Sequence, residues 1–161
     1  MPNDSAPLVL VSNRGPVQFD DDGSMKRGGG GLVTALMGLA TYRDVTWVAS
    51  TMSEGDAAES ERHGGGAFPV SLPDSSRDYL VRLVESDWLA YHRFYSVVAN
   101  PMLWFIQHYL WDLSNAPDIR TEEVEAFDHG YRTVNEDLAR AVLEEIADTE
   151  DPVVMVHDYH L

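Results

Sequence analysis

Three short stretches carry residues whose chemistry goes beyond packing. "LVLVSNR" (8–14) ends an apolar run on Arg14, "KRGGGGLVTAL" (26–36) sets four glycines ahead of another apolar run, and "HDYHL" (157–161) brackets Asp158 with two histidines. Glycine gives up more chain entropy on folding than any other residue. Four in succession therefore mark either a slack linker or a place where something approaches main-chain N–H groups. The free N–H groups and dipole of a helix N-terminus attract an anion. Arg14, Lys26 and Arg27 lie around these glycines, which reads either as a local anion site or as chance clustering. A carboxylate such as Asp158, placed beyond a buried strand and facing a cleft, can accept hydrogen bonds from substrate hydroxyls.

Neighbouring chemistries fit less well. A P-loop needs Gly-Lys-Ser/Thr, but Gly31 is followed by Leu32 and Val33; a dinucleotide fingerprint needs a tight strand-to-helix turn, which the long gap after "LVLVS" denies. "HGGG" (63–66) resembles an oxyanion loop, yet the chain has no Gly-x-Ser-x-Gly elbow, so it reads as a loop. A metal at "HDYHL" is disfavoured because strand residues i and i+3 face opposite ways, and no cysteine or second compact His/Asp cluster completes a ligand set.

The elements that must position these residues alternate. "LVLVS" (8–12), "VTWVAS" (45–50), "FPVSL" (68–72), "YLVRLV" (79–84) and "PVVMVH" (152–157) read as strands, the first and last buried. A helix is expected from Gly31 to about Tyr42, with Leu32, Ala35, Leu36 and Leu39 on its inner face. Residues 51–67 read as a mobile loop. A helical, aromatic segment is expected over 87–113, broken near Pro101. Its aromatics read mostly as core, a minority as lining for a sugar. Residues 121–148 form the clearest helix, capped at Thr121, with Val124, Phe127, Tyr131, Val134, Leu138, Val142 and Ile146 on one face. This alternation predicts an α/β fold with a largely parallel sheet, whose ligands bind beyond the carboxyl ends of the strands.

The composition agrees with a globular chain of about one domain: 161 residues, 44% hydrophobic, with seven tyrosines and four tryptophans. A formal charge of −16 opposes binding to nucleic acid or anionic lipid. Without cysteine there is no disulfide framework, which suits a cytoplasmic location. "MPNDSAPLVLVSNRG" has neither a basic leader nor an apolar span of membrane length.

In order along the chain, "VSNR", "GGGL", "Y-x-x-V-x-N-x-x-L-W-x-x-x-H-Y", "GYRTVN" and "HDYHL" resemble the trehalose-6-phosphate synthases, retaining glycosyltransferases of the two-domain GT-B kind. The resemblance runs from Val11 to Leu161. It implies a Rossmann-like N-terminal, acceptor-side domain, incomplete over 1–161, with a nucleotide-sugar-binding domain beyond it. It implies transfer of glucose from a nucleotide sugar to glucose 6-phosphate, with no metal ion or other cofactor. By the same resemblance Arg14 holds the acceptor's phosphate, and Tyr95, Trp104 and Asp158 contact the acceptor, Asp158 orienting it for catalysis. Gly30 and Gly31 meet the donor's phosphates with their backbone. One position departs: Ser50 stands where the family has the second tryptophan of "W-x-G-W". Related synthases that use glycerol phosphate or aminocyclitol phosphates, and a non-catalytic sugar-phosphate-binding module, stay open as alternatives. So do the donor nucleotide and assembly as a homo-oligomer.

Overall fold

The computed structural model describes residues 7–40, 44–71, 78–110 and 119–161. It divides into two compact units, Met1–Glu85 with Leu138–Val156, and Ser86–Asp137 with His157–Leu161.

The first unit is built on a five-stranded sheet: β1 (Leu8–Ser12), β4 (Val45–Ser50), β5 (Phe68–Ser71), β6 (Asp78–Val84) and β7 (Val153–Val156), in the order β5-β6-β4-β1-β7. β1 runs parallel to β4 and β7, and β4 parallel to β6; β5 alone is antiparallel. β1 and β4 are central and buried along nearly their whole length, which is why both sequences are continuously apolar. Trp47, Val48, Leu10 and Val81 are fully enclosed. β7 departs from the expectation of a buried strand: it ends the sheet, and its residues alternate between half-buried and exposed. A small antiparallel hairpin, β2 (Val17–Phe19) and β3 (Met25–Arg27), stands apart from the sheet and was not foreseen.

Helix α1 (Gly31–Ala40) begins where expected; the predicted end at Tyr42 lies outside the described residues. Its buried side chains are Val33, Leu36 and Met37, and Ala35 is exposed; those of Leu32 and Leu39 also lie outside the description. Residues 51–67 are not simply loop. Helix α2 (Glu54–Arg62) forms there, capped by Ser53, whose hydroxyl accepts from the Asp56 amide. Its polar composition hid it, because α2 is anchored by polar contacts rather than by an apolar stripe.

The second unit is helical. α3 (Trp88–His92) continues into a π-helical segment (Arg93–Trp104) and a last turn, α4 (Phe105–Gln107). No break occurs at Pro101: the wider π spacing carries the chain through it. α5 (Thr121–Ala126) passes through a π-helical turn (Phe127–Tyr131) into α6 (Arg132–Glu145), whose residues from Leu138 onward belong to the first unit. Arg120, not Thr121, occupies the cap position, and Glu123 accepts from its backbone amide. Val134, Leu138 and Val142 are buried as predicted, whereas Val124 and Phe127 are exposed. Gly130 explains the tight helix contact in this unit: a Cβ there would lie 2.3 Å from the Cβ of Arg93. Among the described residues, no helix is long and apolar enough to cross a membrane.

Candidate functional site

In the sheet unit, the candidate residues gather at the carboxyl end of β1. Arg14 is exposed, but its backbone is fixed by a short relay. The buried indole N–H of Trp47 donates to Ser12 Oγ (2.8 Å), and Ser12 Oγ donates to the Arg14 carbonyl (2.7 Å). Asn13 is buried, and its carbonyl accepts from the Ser50 amide of β4 at 3.2 Å. Two central strands therefore hold the turn that projects Arg14.

The glycine loop is brought to the same turn by the β2–β3 hairpin. The Gly28 amide donates to the Pro16 carbonyl at 2.7 Å, and a Cβ on Gly28 would lie 2.2 Å from the Gly15 carbonyl oxygen. Only bare backbone fits that contact. The remaining three glycines differ. A Cβ on Gly29, Gly30 or Gly31 would meet nothing within 4 Å, so the space before α1 is open. Gly30 has φ +118°, a left-handed conformation suited to glycine, and its carbonyl accepts from the Thr34 amide and hydroxyl, both at 3.2 Å. The first turn of α1 carries no acidic residue. A ten-residue helix thus presents an open N-terminus that suits an anion. Of the three basic residues around the loop, Lys26 is engaged in an ion pair with Asp20.

The hairpin is secured from its other side by α2. Asp56, almost wholly buried, accepts from the Phe19 amide (2.7 Å) through Oδ1 and from the Met52 amide (2.8 Å) through Oδ2. Ser53 Oγ donates to the Phe19 carbonyl at 2.7 Å. Gly55 allows the approach, since a Cβ there would fall within 2.6 Å of the Phe19 and Asp20 backbone. Desolvation raises the Asp56 carboxyl above its ordinary value, opposed by these hydrogen bonds.

In the helical unit, Asp158 lies at the centre of a cluster. It is a non-glycine residue with φ +82°. Its Oδ1 accepts from the Tyr159 amide (2.8 Å), and its Oδ2 lies 2.9 Å from Nδ1 of the buried His160. The His160 ring stacks on Tyr95 (5.4 Å, 8°) and on Tyr159 (4.1 Å, 27°). Tyr159 in turn donates to Asn100 Oδ1 at 2.7 Å. Tyr95 and Asn100 both come from the π-helical segment, so that irregular stretch carries the residues that meet "HDYHL". Trp104 closes the same segment, stacked on His108 at 4.2 Å, away from this cluster's contacts.

Asp158 and Tyr95 are thus linked through His160, while Arg14 and the glycine loop meet in the sheet unit. Trp47 and Asp56 were not singled out from sequence, and Ser12, Gly28 and His160 lay inside stretches that were, without a role of their own. Trp47 gave the one usable signal, an indole N–H on a buried strand that needs a partner.

A sequence profile of glycosyltransferase family 20 matches residues 6–161. This chain belongs to that family. A validamine 7-phosphate valienyltransferase of Streptomyces hygroscopicus subsp. jinggangensis is 30% identical over 162 residues, covering 96% of this chain and 31% of the relative. A UDP-forming alpha,alpha-trehalose-phosphate synthase of Botryotinia fuckeliana is 29% identical over 174 residues, covering 99% and 28%. The E. coli structure described as trehalose-6-phosphate bound with UDP-2-fluoro glucose superposes with TM-score 0.61 at 19% identity, covering 97% of this chain and 28% of that one. A UDP-forming alpha,alpha-trehalose-phosphate synthase from Burkholderia vietnamiensis gives TM-score 0.55 at 21% identity, covering 98% and 28%. The solved structures establish the fold, a mixed α/β arrangement with a mostly parallel sheet and flanking helices. The chain spans about 30% of the length of these relatives.

Proposed function

We propose that this chain is the acceptor-side part of a retaining hexosyltransferase that moves glucose from a nucleotide sugar to glucose 6-phosphate, giving trehalose 6-phosphate. The observation that carries the reading is the adjacency of two anion grips in the sheet unit. Arg14 projects from a turn fixed by β1 and β4, and Gly28 packs the glycine loop against that turn, ahead of the open N-terminus of α1. Two neighbouring grips suit two phosphorylated substrates. Arg14 holds the acceptor's phosphate through two parallel hydrogen bonds. The Gly30 and Gly31 amides meet the donor's diphosphate. Asp158 orients the acceptor hydroxyl, with Tyr95 and Trp104 as aromatic walls.

In this reaction the bond from the anomeric carbon to the donor's phosphate oxygen breaks, and a bond to the acceptor hydroxyl forms on the same face. The hydroxyl proton passes to the departing phosphate, so no enzyme nucleophile is needed and no metal ion takes part. Charge on the leaving diphosphate is stabilised electrostatically, by basic groups of a second, GT-B-type domain. The cysteine-free composition fits a cytoplasmic location.

A second reading, transfer to another phosphorylated acceptor, is favoured by Ser50. This residue is buried, and its Oγ has no hydrogen-bond partner, where the family's resemblance calls for a tryptophan. The 30% identity to a valienyltransferase points the same way. The full-length gene product, treated with a chelator, is incubated with UDP-glucose and other nucleotide glucoses against glucose 6-phosphate, glycerol phosphate and validamine 7-phosphate. A non-reducing disaccharide phosphate with retained configuration, formed fastest from glucose 6-phosphate, is expected. Preference for another acceptor selects the second reading, and no transfer to any acceptor overturns both.

A further inference from the structure

We propose that His160 is a positioning residue, holding the Asp158 carboxylate in the orientation that receives the acceptor; this rests on the reading of Asp158 given above. Asp158 adopts φ +82°, a conformation that side-chain-bearing residues rarely take and that persists only when the surroundings enforce it. Both carboxylate oxygens have a close neighbour. Oδ1 is held by the Tyr159 amide at 2.8 Å, and Oδ2 lies at ion-pair distance, 2.9 Å, from His160 Nδ1 without the alignment of a hydrogen bond. His160 is only 6% exposed, so it is fixed in place rather than swung in from solvent. Its ring stacks on Tyr95 and Tyr159, and Tyr159 is tied to Asn100 through its hydroxyl. The Asp158 side chain keeps 28% of its surface exposed. Among the described residues each oxygen has one such neighbour, which leaves a second lone-pair direction for a ligand hydroxyl.

The chemistry distinguishes His160 from a mere ring in the stack. An asparagine at 160 puts its amide N–H near the place of Nδ1 and keeps the contact with Asp158, but gives up the ring. A phenylalanine keeps the ring against Tyr95 and Tyr159 and gives up the contact. Positioning and packing therefore predict opposite orders.

In the full-length gene product, transfer to the preferred phosphorylated acceptor is measured for His160→Asn, His160→Phe, Asp158→Asn and the His160→Phe/Asp158→Asn pair, with a thermal melt for each. His160→Phe is expected to lower kcat/KM for the acceptor by about tenfold at near-native melting temperature. His160→Asn should retain most of the activity despite a lower melt. The double variant should be little worse than Asp158→Asn alone, because the two residues act as a unit. A fall in Asp158→Asn with Phe as active as Asn at 160, or with fully additive losses in the pair, overturns the positioning role alone. Unchanged transfer in Asp158→Asn overturns that role together with the reading of Asp158 as the acceptor's carboxylate. Should His160→Phe fail to fold, the ranking of His160→Gln against His160→Asn decides: glutamine's amide falls near Nε2, so equal activity of the two overturns the proposal.

Discussion

At the residue scale, Arg14 depends on the relay beneath its backbone. Arg14 is exposed, yet its backbone is anchored by Ser12, and Ser12 satisfies the buried indole of Trp47. Arg14→Ala is expected to cost about 1.5–3 kcal/mol of acceptor binding, roughly ten- to a hundredfold in the acceptor's apparent constant. Donor affinity should change much less, since the donor's phosphates are assigned to Gly30 and Gly31; separate titrations of acceptor and donor check this. Ser12→Ala should act differently, because it leaves the Trp47 N–H buried and unpaired. A stability loss of about 1–3 kcal/mol is expected in denaturant unfolding, with a smaller, severalfold rise in the acceptor's constant. Loss of stability with no change in the acceptor constant would show that the relay does not support Arg14.

Between elements, the hairpin β2–β3 is the part that delivers the glycine loop, and it is held by two close approaches. Gly28 meets backbone, not a yielding side chain, so Gly28→Ala should destabilise by about 1–3 kcal/mol and weaken donor binding. Gly29→Ala, with open space around its Cβ, should leave the melt almost unchanged. Equal melts for the two variants would show that the loop does not need the Gly15–Gly28 contact. The second hold is Asp56 between α2 and β2. Asparagine has one oxygen where the Phe19 and Met52 amides need two, so Asp56→Asn should cost about 1–3 kcal/mol. The sign with pH is also set. Desolvation raises the folded-state value of Asp56 above its ordinary 3.8. The wild type therefore binds this proton more tightly when folded, and its stability contribution is full below the ordinary value and lost as pH rises through the raised one. Denaturant melts of wild type and Asp56→Asn across pH 3 to 7 should show the gap between them widening toward acid; a gap that narrows would contradict the raised value.

For the whole molecule, the sheet's outer strand matters most. β7 ends the sheet among the described residues, with Val156 59% exposed and Val154 37% exposed. An apolar edge of this kind offers backbone groups to another strand. The 161-residue chain is expected to self-associate with rising concentration in sedimentation, and Val156→Lys should reduce that association. A monomer at all concentrations would contradict the open edge. The same chain, spanning about 30% of its relatives' length, is expected to give no glycosyl transfer by itself. Turnover of a nucleotide glucose by these residues alone would move catalysis into this part of the fold and remove the need for a second domain.

The sequence by itself determined the fold class and the positions of the central strands, because burial on both faces demands the unbroken apolar runs of β1 and β4. It also determined the family, through residue types at fixed order along the chain. It did not determine α2, whose anchors are the carboxylate of Asp56 and the hydroxyl of Ser53 rather than a periodic apolar face. Nor did it foresee the passage through Pro101, since a proline ordinarily breaks a regular helix and the wider π spacing that carries the chain through it leaves no periodic signature in the sequence. The glycines show the division most clearly. Sequence gave all four the same meaning, a bare approach to a helix start. Tertiary structure separated them: Gly28 is bare for the chain's own Gly15 and Pro16, while Gly29 to Gly31 face open space. Likewise the histidine two residues past Asp158 was legible as a type but not as a partner. Spacing along a chain fixes which side a side chain leaves from only inside regular structure, and the left-handed turn at Asp158 that joins the two lies outside it.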